Sequence, residues 1–363
     1  MNAPLRQRLP GLASGRQVLA GALADAAKPV EQLSISEWAD KHRRVAAESG
    51  SRFPGPWKTA RTPYLREPMD CLHPDHPARR VVCKFSAQTG KSEIPVNWFG
   101  FIVDQALGTM LIVLPSLDEA IKFNRVKLQP TIDASPRIRH RVRPENSRDE
   151  AASTTSFKRF AGGFAQITSA SSSKGLQMVS IRNLVMDEVS EYPLDTDGRG
   201  SPIDQARARQ KSYGDLAKEF CSSTPGLTGS CRISEMYEDG DRRRLYLPCP
   251  HCTDFQVLRY EAMQPPGEKS GGRVTFACAS CGVLIDQVAR EAMLDQAVWI
   301  PTRPNAPEQS VPSPILEAAP DVIPADRLDH YRCDPCAGRC RDWQPSYALW
   351  SAYSPMEAWS DIF

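Results

Sequence analysis

The stretch that most constrains this chain is residues 84–93, Lys-Phe-Ser-Ala-Gln-Thr-Gly-Lys-Ser-Glu. Before it, Arg80, Val81, Val82 and Cys83 form a short β-branched run of the kind that makes a buried strand. After it, residues 94–104 carry apolar side chains at mixed helical spacing. Strand, Gly-Lys-Ser turn and helix in that order predict a phosphate-binding loop. In such a loop the backbone N–H groups and the helix N-terminus face anionic phosphates. Lys91 is expected to reach the β- and γ-phosphates, Ser92 to sit on Mg²⁺, and Ser86, Gln88, Thr89 and Gly90 to complete the cradle. Phe85 stands where the pattern G-x-x-x-x-G-K-[ST] has its first glycine. The competing reading is an ordinary surface turn with a solvated lysine.

A second run supplies the acids that such a site needs. Residues 181–188, Ile-Arg-Asn-Leu-Val-Met-Asp-Glu, lead from apolar side chains straight into two carboxylates. A buried strand ending there puts both acids at the carboxyl edge of a sheet, where ligands bind in open α/β folds. Asp187 is expected to hold Mg²⁺ through water, and Glu188 to orient and deprotonate an attacking water. Acidic pairs after apolar runs are common. The position of this one, roughly 95 residues beyond the loop lysine, is what raises its significance. Between the two motifs, Thr-Met-Leu-Ile-Val-Leu at 109–114 is bounded by Gly108 and Pro115 and predicts a buried parallel strand. Residues 116–129 predict a helix capped by Ser116 with Asp118 and Glu119 in its first turn. Residues 157–173 suggest a hairpin and a polar loop. Ser222-Ser-Thr-Pro, at the end of another strand-like run, could bring the Ser223 and Thr224 hydroxyls near a γ-phosphate. The alternation of strands and helices predicts an α/β fold of the P-loop NTPase type (RecA/ASCE-like), with a mainly parallel sheet flanked by helices.

Eleven cysteines stand in the chain, and their spacing argues for metal before disulfides. Cys249-Pro-His-Cys252 and Cys278-Ala-Ser-Cys281 are two C-x-x-C knuckles, each entered by a strand-like run. Four thiolates so spaced predict a structural, closed Zn²⁺ site in a small zinc-ribbon-like subdomain. Buried free thiols are the bland alternative. Cys333, Cys336 and Cys340, with His330, form a weaker candidate.

The remaining stretches set the organisation. Of 363 residues, 1–33 suggest a flexible lead-in, 34–240 the ATPase domain, 241–298 the zinc ribbon, 299–326 a Pro-rich linker and 327–363 a C-terminal segment. Ser34 and Glu37 make a capping-box pair at the first helix. The Pro- and aromatic-rich run from Phe53 offers Trp57 and Tyr64 as rings for adenine, or as anchors on the core. Arg137, Arg139, Arg141 and Arg143 would line one face of an extended strand and could track DNA phosphates. Trp343 onward is aromatic and must bury itself. The formal charge of +2 announces no nucleic-acid binder by itself. No run reaches the ~18–20 apolar residues of a membrane span, and no signal-peptide core is present, so a cytoplasmic site is expected.

The ordered set of Trp57-Lys-Thr-Ala-Arg-Thr-Pro-Tyr64, Ser86-Ala-Gln-Thr-Gly-Lys-Ser92, Val185-Met-Asp-Glu188, Ser222-Ser-Thr-Pro225, the two knuckles and Trp350-Ser-Ala-Tyr-Ser-Pro355 resembles the large subunit of a tailed-phage terminase of the GpA type. The resemblance covers about residues 34–363. It implies an ATPase motor that drives viral double-stranded DNA into a procapsid with a small terminase subunit and the portal, assembled as a homo-oligomeric ring. It also implies Lys91 and Ser92 as the Walker A pair, Asp187 and Glu188 as the Walker B pair, Ser223 and Thr224 in the coupling motif, and Tyr64 as an adenine contact. The cofactors would be ATP, Mg²⁺ and structural Zn²⁺. Members often keep a lysine before Ser-Ala-Gln, where this chain has Phe85 and carries Lys84 one position earlier. Large terminases continue into an RNase H-like nuclease domain where this chain stops, so no endonuclease activity is expected of it. Two other readings share some of these features: a helicase-like DNA-dependent ATPase, and a degenerate zinc-ribbon module that binds DNA or capsid. Arg182, Arg199 and Arg207 are candidates for an arginine finger.

Overall fold

The computed structural model describes residues 14–16, 19, 31–145, 152–177, 179–227, 229, 231–303, 319–332 and 344–363. The chain divides into two compact units, Met1–Leu33 and Ser34–Phe363. The second carries everything discussed below.

A two-stranded ribbon, β1 (Arg44–Val45) with β2 (Gly55–Pro56), precedes the main sheet. The strands then follow in order: β3 (Arg80–Phe85), β4 (Thr109–Leu114), β5 (Phe157–Phe160), β6 (Gly163–Ser169), β7 (Asn183–Asp187), β8 (Lys218–Ser223), β9 (Arg243–Pro248) and β10 (Phe255–Gln256). They continue with β11 (Met263–Gln264), β12 (Thr275–Ala277), β13 (Leu284–Asp286), β14 (Val298–Ile300), β15 (Val322–Ile323) and β16 (Ser346–Leu349). The main sheet has the order β15-β10-β9-β16-β3-β8-β7-β4-β6-β5, with β14 also on β9. From β9 to β6 all pairings are parallel. The antiparallel strands sit only towards the edges, where β5 pairs β6, and β10 and β14 pair β9.

The parallel centre forms where the sequence is continuously apolar. In β4, Met110 to Leu114 are all buried, and β7 is buried along its whole length, as strands covered by helices on both faces must be. β8 is buried too although it begins Lys218-Glu219. Glu219 is neutralised there by Arg80 and Arg207, each at 2.7 Å. Burial pushes the Glu219 carboxyl up, but Arg80 and Arg207 outweigh it and hold it below the usual range.

Two helix starts form as their cap residues dictate. Ser34 accepts from Glu37 N–H while Glu37 accepts from Ser34 N–H at the Ile35–His42 helix, and Ser116 and Glu119 do the same at the Leu117–Phe123 helix.

Strand β8 lies between β3 and β7, so the phosphate-loop strand and the acidic strand are next-but-one neighbours. The register pairs Lys84 with Ser223 and Asp187 with Ser222. The Gly-Lys-Ser turn, the Ser-Ser-Thr run and the Asp-Glu pair therefore leave the sheet at one carboxyl edge.

Two expectations are corrected. The four arginines do not line a strand: Pro136–Arg139 is a helical turn, because Pro136 pre-sets its first residue. Arg137 and Arg141 both turn back onto the buried Asp104, at 3.1 and 2.7 Å. The C-terminal segment 327–363, expected to lead on towards a nuclease domain, is itself part of the ATPase sheet. Its β16 enters the middle of the sheet beside β3, with Tyr347 and Trp359 buried.

The zinc-ribbon stretch shares its first strand, β9, with the main sheet. β11, β12 and β13 form a separate three-stranded sheet. The stretch 304–318 of the Pro-rich linker, and Cys333, Cys336 and Cys340, lie outside the described residues.

Candidate nucleotide site and metal centre

The loop between β3 and the Glu93–Phe101 helix has the backbone its sequence requires. Gln88 and Gly90 have positive φ, 56° and 79°. At Gly90 a Cβ would approach Leu65 Cδ1 to 3.2 Å, so glycine is needed there for conformation and for space. Thr89 Oγ1 donates to the Ser86 carbonyl at 2.7 Å, and Ser354 Oγ donates to the Gln88 carbonyl at 2.7 Å. The loop is thus tied from within and by the C-terminal turn. Phe85 is tolerated in place of glycine because its ring goes into the core, stacked on Trp299 with centroids 6.1 Å apart. Its carbonyl accepts from Lys91 Nζ at 3.3 Å. Lys84 faces away from the loop, its ammonium 5.2 Å from the Tyr237 ring centroid.

Lys91 is buried at the loop and is bonded on several sides. Its Nζ lies 2.9 Å from Glu188 Oε1 and donates to Thr224 Oγ1. Glu188 Oε2 in turn accepts from Thr224 N–H at 3.0 Å and from Ser223 Oγ at 3.1 Å. Glu188 itself has φ 54°, a left-handed conformation uncommon for a non-glycine residue and often kept at working sites. Asp187 is 4% exposed, accepting from Ser222 Oγ at 2.5 Å and from Glu188 N–H at 3.1 Å. Its carboxyl is raised above the ordinary range, first by burial and then by Glu188, while Ser222 and Lys91 pull the other way.

The structure therefore brings together Thr89, Gly90, Lys91, Ser92, Asp187, Glu188, Ser223 and Thr224, and Ser86 lies at the root of the loop. Tyr64 departs from expectation. It is 1% exposed, its hydroxyl donates to the Thr89 carbonyl at 3.0 Å, and its own carbonyl accepts from Trp299 Nε1 at 2.9 Å. The ring is used to support the loop from below and has no face open to a base. A cavity of about 580 Å³ opens on the loop and reaches Phe53, 37% exposed, and Trp57. Phe53 carries the guanidinium of Arg61 over its ring at 5.0 Å, and Trp57 that of Arg43 at 4.7 Å. Arg207, a candidate finger, is tied to Glu219 on the main sheet. Sequence reasoning missed Lys127 and Glu93, which also line the cavity and pair at 3.1 Å. A charged residue directly after Gly-Lys-Ser was the signal that could have found Glu93.

The metal centre is built from two matching turns. Thr253 N–H donates to the Cys249 carbonyl and Gly282 N–H to the Cys278 carbonyl, each at 3.0 Å. Thr253 and Gly282 have φ of 68° and 72°. The four Sγ atoms lie within 4.8 Å of one another, with Cys249–Cys281 at 3.9 Å and Cys252–Cys278 at 3.8 Å. A tetrahedron with Zn–S bonds of ~2.3 Å has edges of roughly 3.8 Å, which both of these sulfur pairs match, so the quartet suits Zn²⁺. One knuckle stands on β9 and the other on β12, so a bound ion would join the main sheet to the small one.

A parallel sheet with the acidic strand one place removed from the loop strand, and with Lys91, Thr224 and Glu188 in mutual contact, defines a P-loop nucleoside-triphosphatase fold. Residues 51–299 match the model of the family described as phage terminase large subunit gpA, ATPase domain. The chain belongs to that family. Among curated relatives, the terminase large subunit of Enterobacteria phage P21 is 26% identical over 341 residues, 91% of this chain and 49% of its own length. That of Escherichia phage lambda is 23% identical, over 92% of this chain and 49% of its own length. The chain thus spans about half the length of the curated relatives it matches. The crystal structure of the HK97 bacteriophage large terminase aligns with TM-score 0.44 and 12% identity, over 57% of this chain and 40% of that one.

Proposed function

We propose that this chain is the ATP-hydrolysing motor part of a phage terminase large subunit, coupling hydrolysis to the packaging of double-stranded DNA. The observation that carries the reading is the triangle of Lys91, Glu188 and Thr224 at the mouth of the loop. An incoming phosphate and Glu188 compete for the Lys91 ammonium, so nucleotide binding frees one oxygen of Glu188. Its other oxygen stays on Thr224 N–H and Ser223 Oγ, leaving the carboxylate oriented as general base for a water. Ser92 and Asp187 would hold Mg²⁺, which when bound offsets phosphate charge and polarises the terminal phosphoryl group. Thr224 bonds both Lys91 and Glu188, and so connects the nucleotide site to whatever moves beyond β8.

By the family, the partners of this half would be DNA, a small terminase subunit, the portal of a procapsid and further copies of the chain in a ring. The setting would be the host cytoplasm, and no helix among the described residues is long and apolar enough to cross a membrane. Structural Zn²⁺ is proposed for the cysteine quartet. This chain is also proposed to have no endonuclease activity. Mg²⁺-dependent nicking of supercoiled plasmid by the pure protein would overturn that.

The deciding experiment is Mg²⁺-dependent ATP hydrolysis with and without linear double-stranded DNA. Turnover stimulated by DNA and abolished by Lys91→Ala supports the motor. Absence of ATP binding in the wild-type chain would leave only a zinc-stapled binding module.

A further inference from the structure

Besides Lys91, the nucleotide cavity is lined by Lys58 and Lys127, and Lys127 is ion-paired to a neighbouring acid. Lys127 belongs to the segment Asn124–Leu128, a π-helical turn that interrupts the run from the Leu117–Phe123 helix to the Gln129–Ala134 helix. Such turns are rare and recur at functional sites. Lys127 Nζ lies 3.1 Å from Glu93 Oε1, and the side chain is 35% exposed, on the wall that also carries Gly90, Lys91, Ser92 and Glu188.

Glu93 has a second, more deeply buried cation besides Lys127. Glu93 is already paired with Arg43, a side chain 3% exposed that is locked in place by Asn97 Oδ1 at 2.6 Å. Arg43 is held on three sides, its guanidinium also lying over the Trp57 ring. Lys127 takes the outer oxygen of Glu93, on the solvent side, with its ammonium at the cavity wall. Removing Lys127 from Glu93 leaves the carboxylate its buried Arg43 partner. The Lys127 ammonium shares one cavity with Lys91, Ser92, Glu188 and Thr224, where a terminal phosphate would enter.

We propose that Lys127 is a second phosphate-binding cation supplied by the same chain, which exchanges its contact with Glu93 for the terminal phosphate of ATP. This rests on the nucleotide-site reading above. Lys91 serves every phosphate that enters the loop, whereas Lys127 reaches the cavity from beside Glu93 and distinguishes the triphosphate from the diphosphate. The proposal adds a specificity element to the site and changes no bond-making step.

The test compares Mg²⁺-ATPγS and Mg²⁺-ADP binding by titration calorimetry for the wild-type chain, Lys127→Met, Lys127→Arg and Lys91→Met. Loss of one charge-assisted phosphate contact weakens binding by about ten- to a hundredfold. Lys127→Met is expected to lose that much affinity for ATPγS and to keep its ADP affinity within about twofold. Lys127→Arg is expected to recover most of the loss. If Lys127→Met binds both nucleotides as the wild type does, or loses both equally along with thermal stability, Lys127 is only a prop for Glu93 and the proposal falls. Lys91→Met separates the two levels: if it retains both nucleotides, the phosphate loop itself has been misassigned.

Discussion

Lys91 and Glu188 form an ion pair of 2.9 Å, so the residue expected to bind phosphate and the residue expected to activate water hold each other. Neutralising the acid removes the competitor for the ammonium. Glu188→Gln is therefore expected to bind Mg²⁺-ATP severalfold more tightly than the wild type, while turnover falls by about a hundredfold or more. Equilibrium binding and steady-state hydrolysis, measured on the same preparation, check both parts. Weaker binding together with lost turnover would mean that Glu188 organises the loop.

Asp187 is the buried acid behind that pair. Its folded pKa is raised, chiefly by burial, so the folded state binds the proton more tightly than the unfolded chain. Stability then falls as pH rises through the raised value, and at neutral pH the ionised group is a cost. Asp187→Asn keeps an acceptor for Ser222 Oγ and is expected to be more stable by about 1 kcal/mol in metal-free buffer while losing turnover. Thermal melts at pH 7.5 would show it, and a lower melting temperature would contradict the assignment.

Glu93 has the opposite sign. Burial pushes its carboxyl up, but Arg43 and then Lys127 prevail and bring it to about 2, against an ordinary 4.5. The stability it contributes is present above about pH 4.5 and is lost as pH falls toward 2. Glu93→Gln is expected to be less stable than wild type at pH 7, with the gap closing across that acid window. Melts in a pH series measure the gap, and one that does not change with pH would argue against the pairing.

Zinc should be present at one equivalent by atomic spectroscopy. Cys278→Ser is expected to lose it and to lower the melting temperature by roughly 10 °C, since loss of a structural metal belongs among the large single-residue effects. Turnover at low temperature should fall less, because four cysteine ligands leave no open position on the metal for chemistry. A metal-free wild type with the same stability would remove the zinc.

Arg243 is 1% exposed, stands on β9 beside Tyr347 of β16, and pairs with Asp241 at 2.8 Å and with Glu67. Arg243→Met removes the cation facing the buried Asp241 and the partly exposed Glu67, and is expected to cost about 3 kcal/mol. Denaturant titration tests this. A change below about 1 kcal/mol would show that water compensates the acids.

The site was legible in the sequence because its signals are local. Gly90, Lys91 and Ser92 announce a turn and a helix start within three residues, and the run from Asn183 to Asp187 announces a buried strand by composition alone. The cysteine knuckles were legible for the same reason. Tyr64 was misread because an aromatic ring in a Pro-rich run does not reveal which face is covered, and here Thr89 and Trp299 take it up. The arginine row was misread because alternation implies a strand only if the backbone is extended, and Pro136 after Ser135 starts a helical turn. Lys127 carried no local signal at all, since its partner Glu93 lies on another helix. β16 was invisible as a central strand because its partner β3 is remote in sequence, and short aromatic runs fit many environments.

That late-arriving strand has a consequence for synthesis. Until Ser346–Leu349 has left the ribosome, the flank of Arg80–Phe85 that it will occupy has its backbone donors and acceptors unpaired, and Ser354 cannot yet fasten the Gln88 carbonyl. The nascent protein therefore cannot finish its phosphate grip before nearly the whole of these 363 residues is made, and in the interval that open flank is the natural place for a chaperone, or a wrong neighbour, to attach.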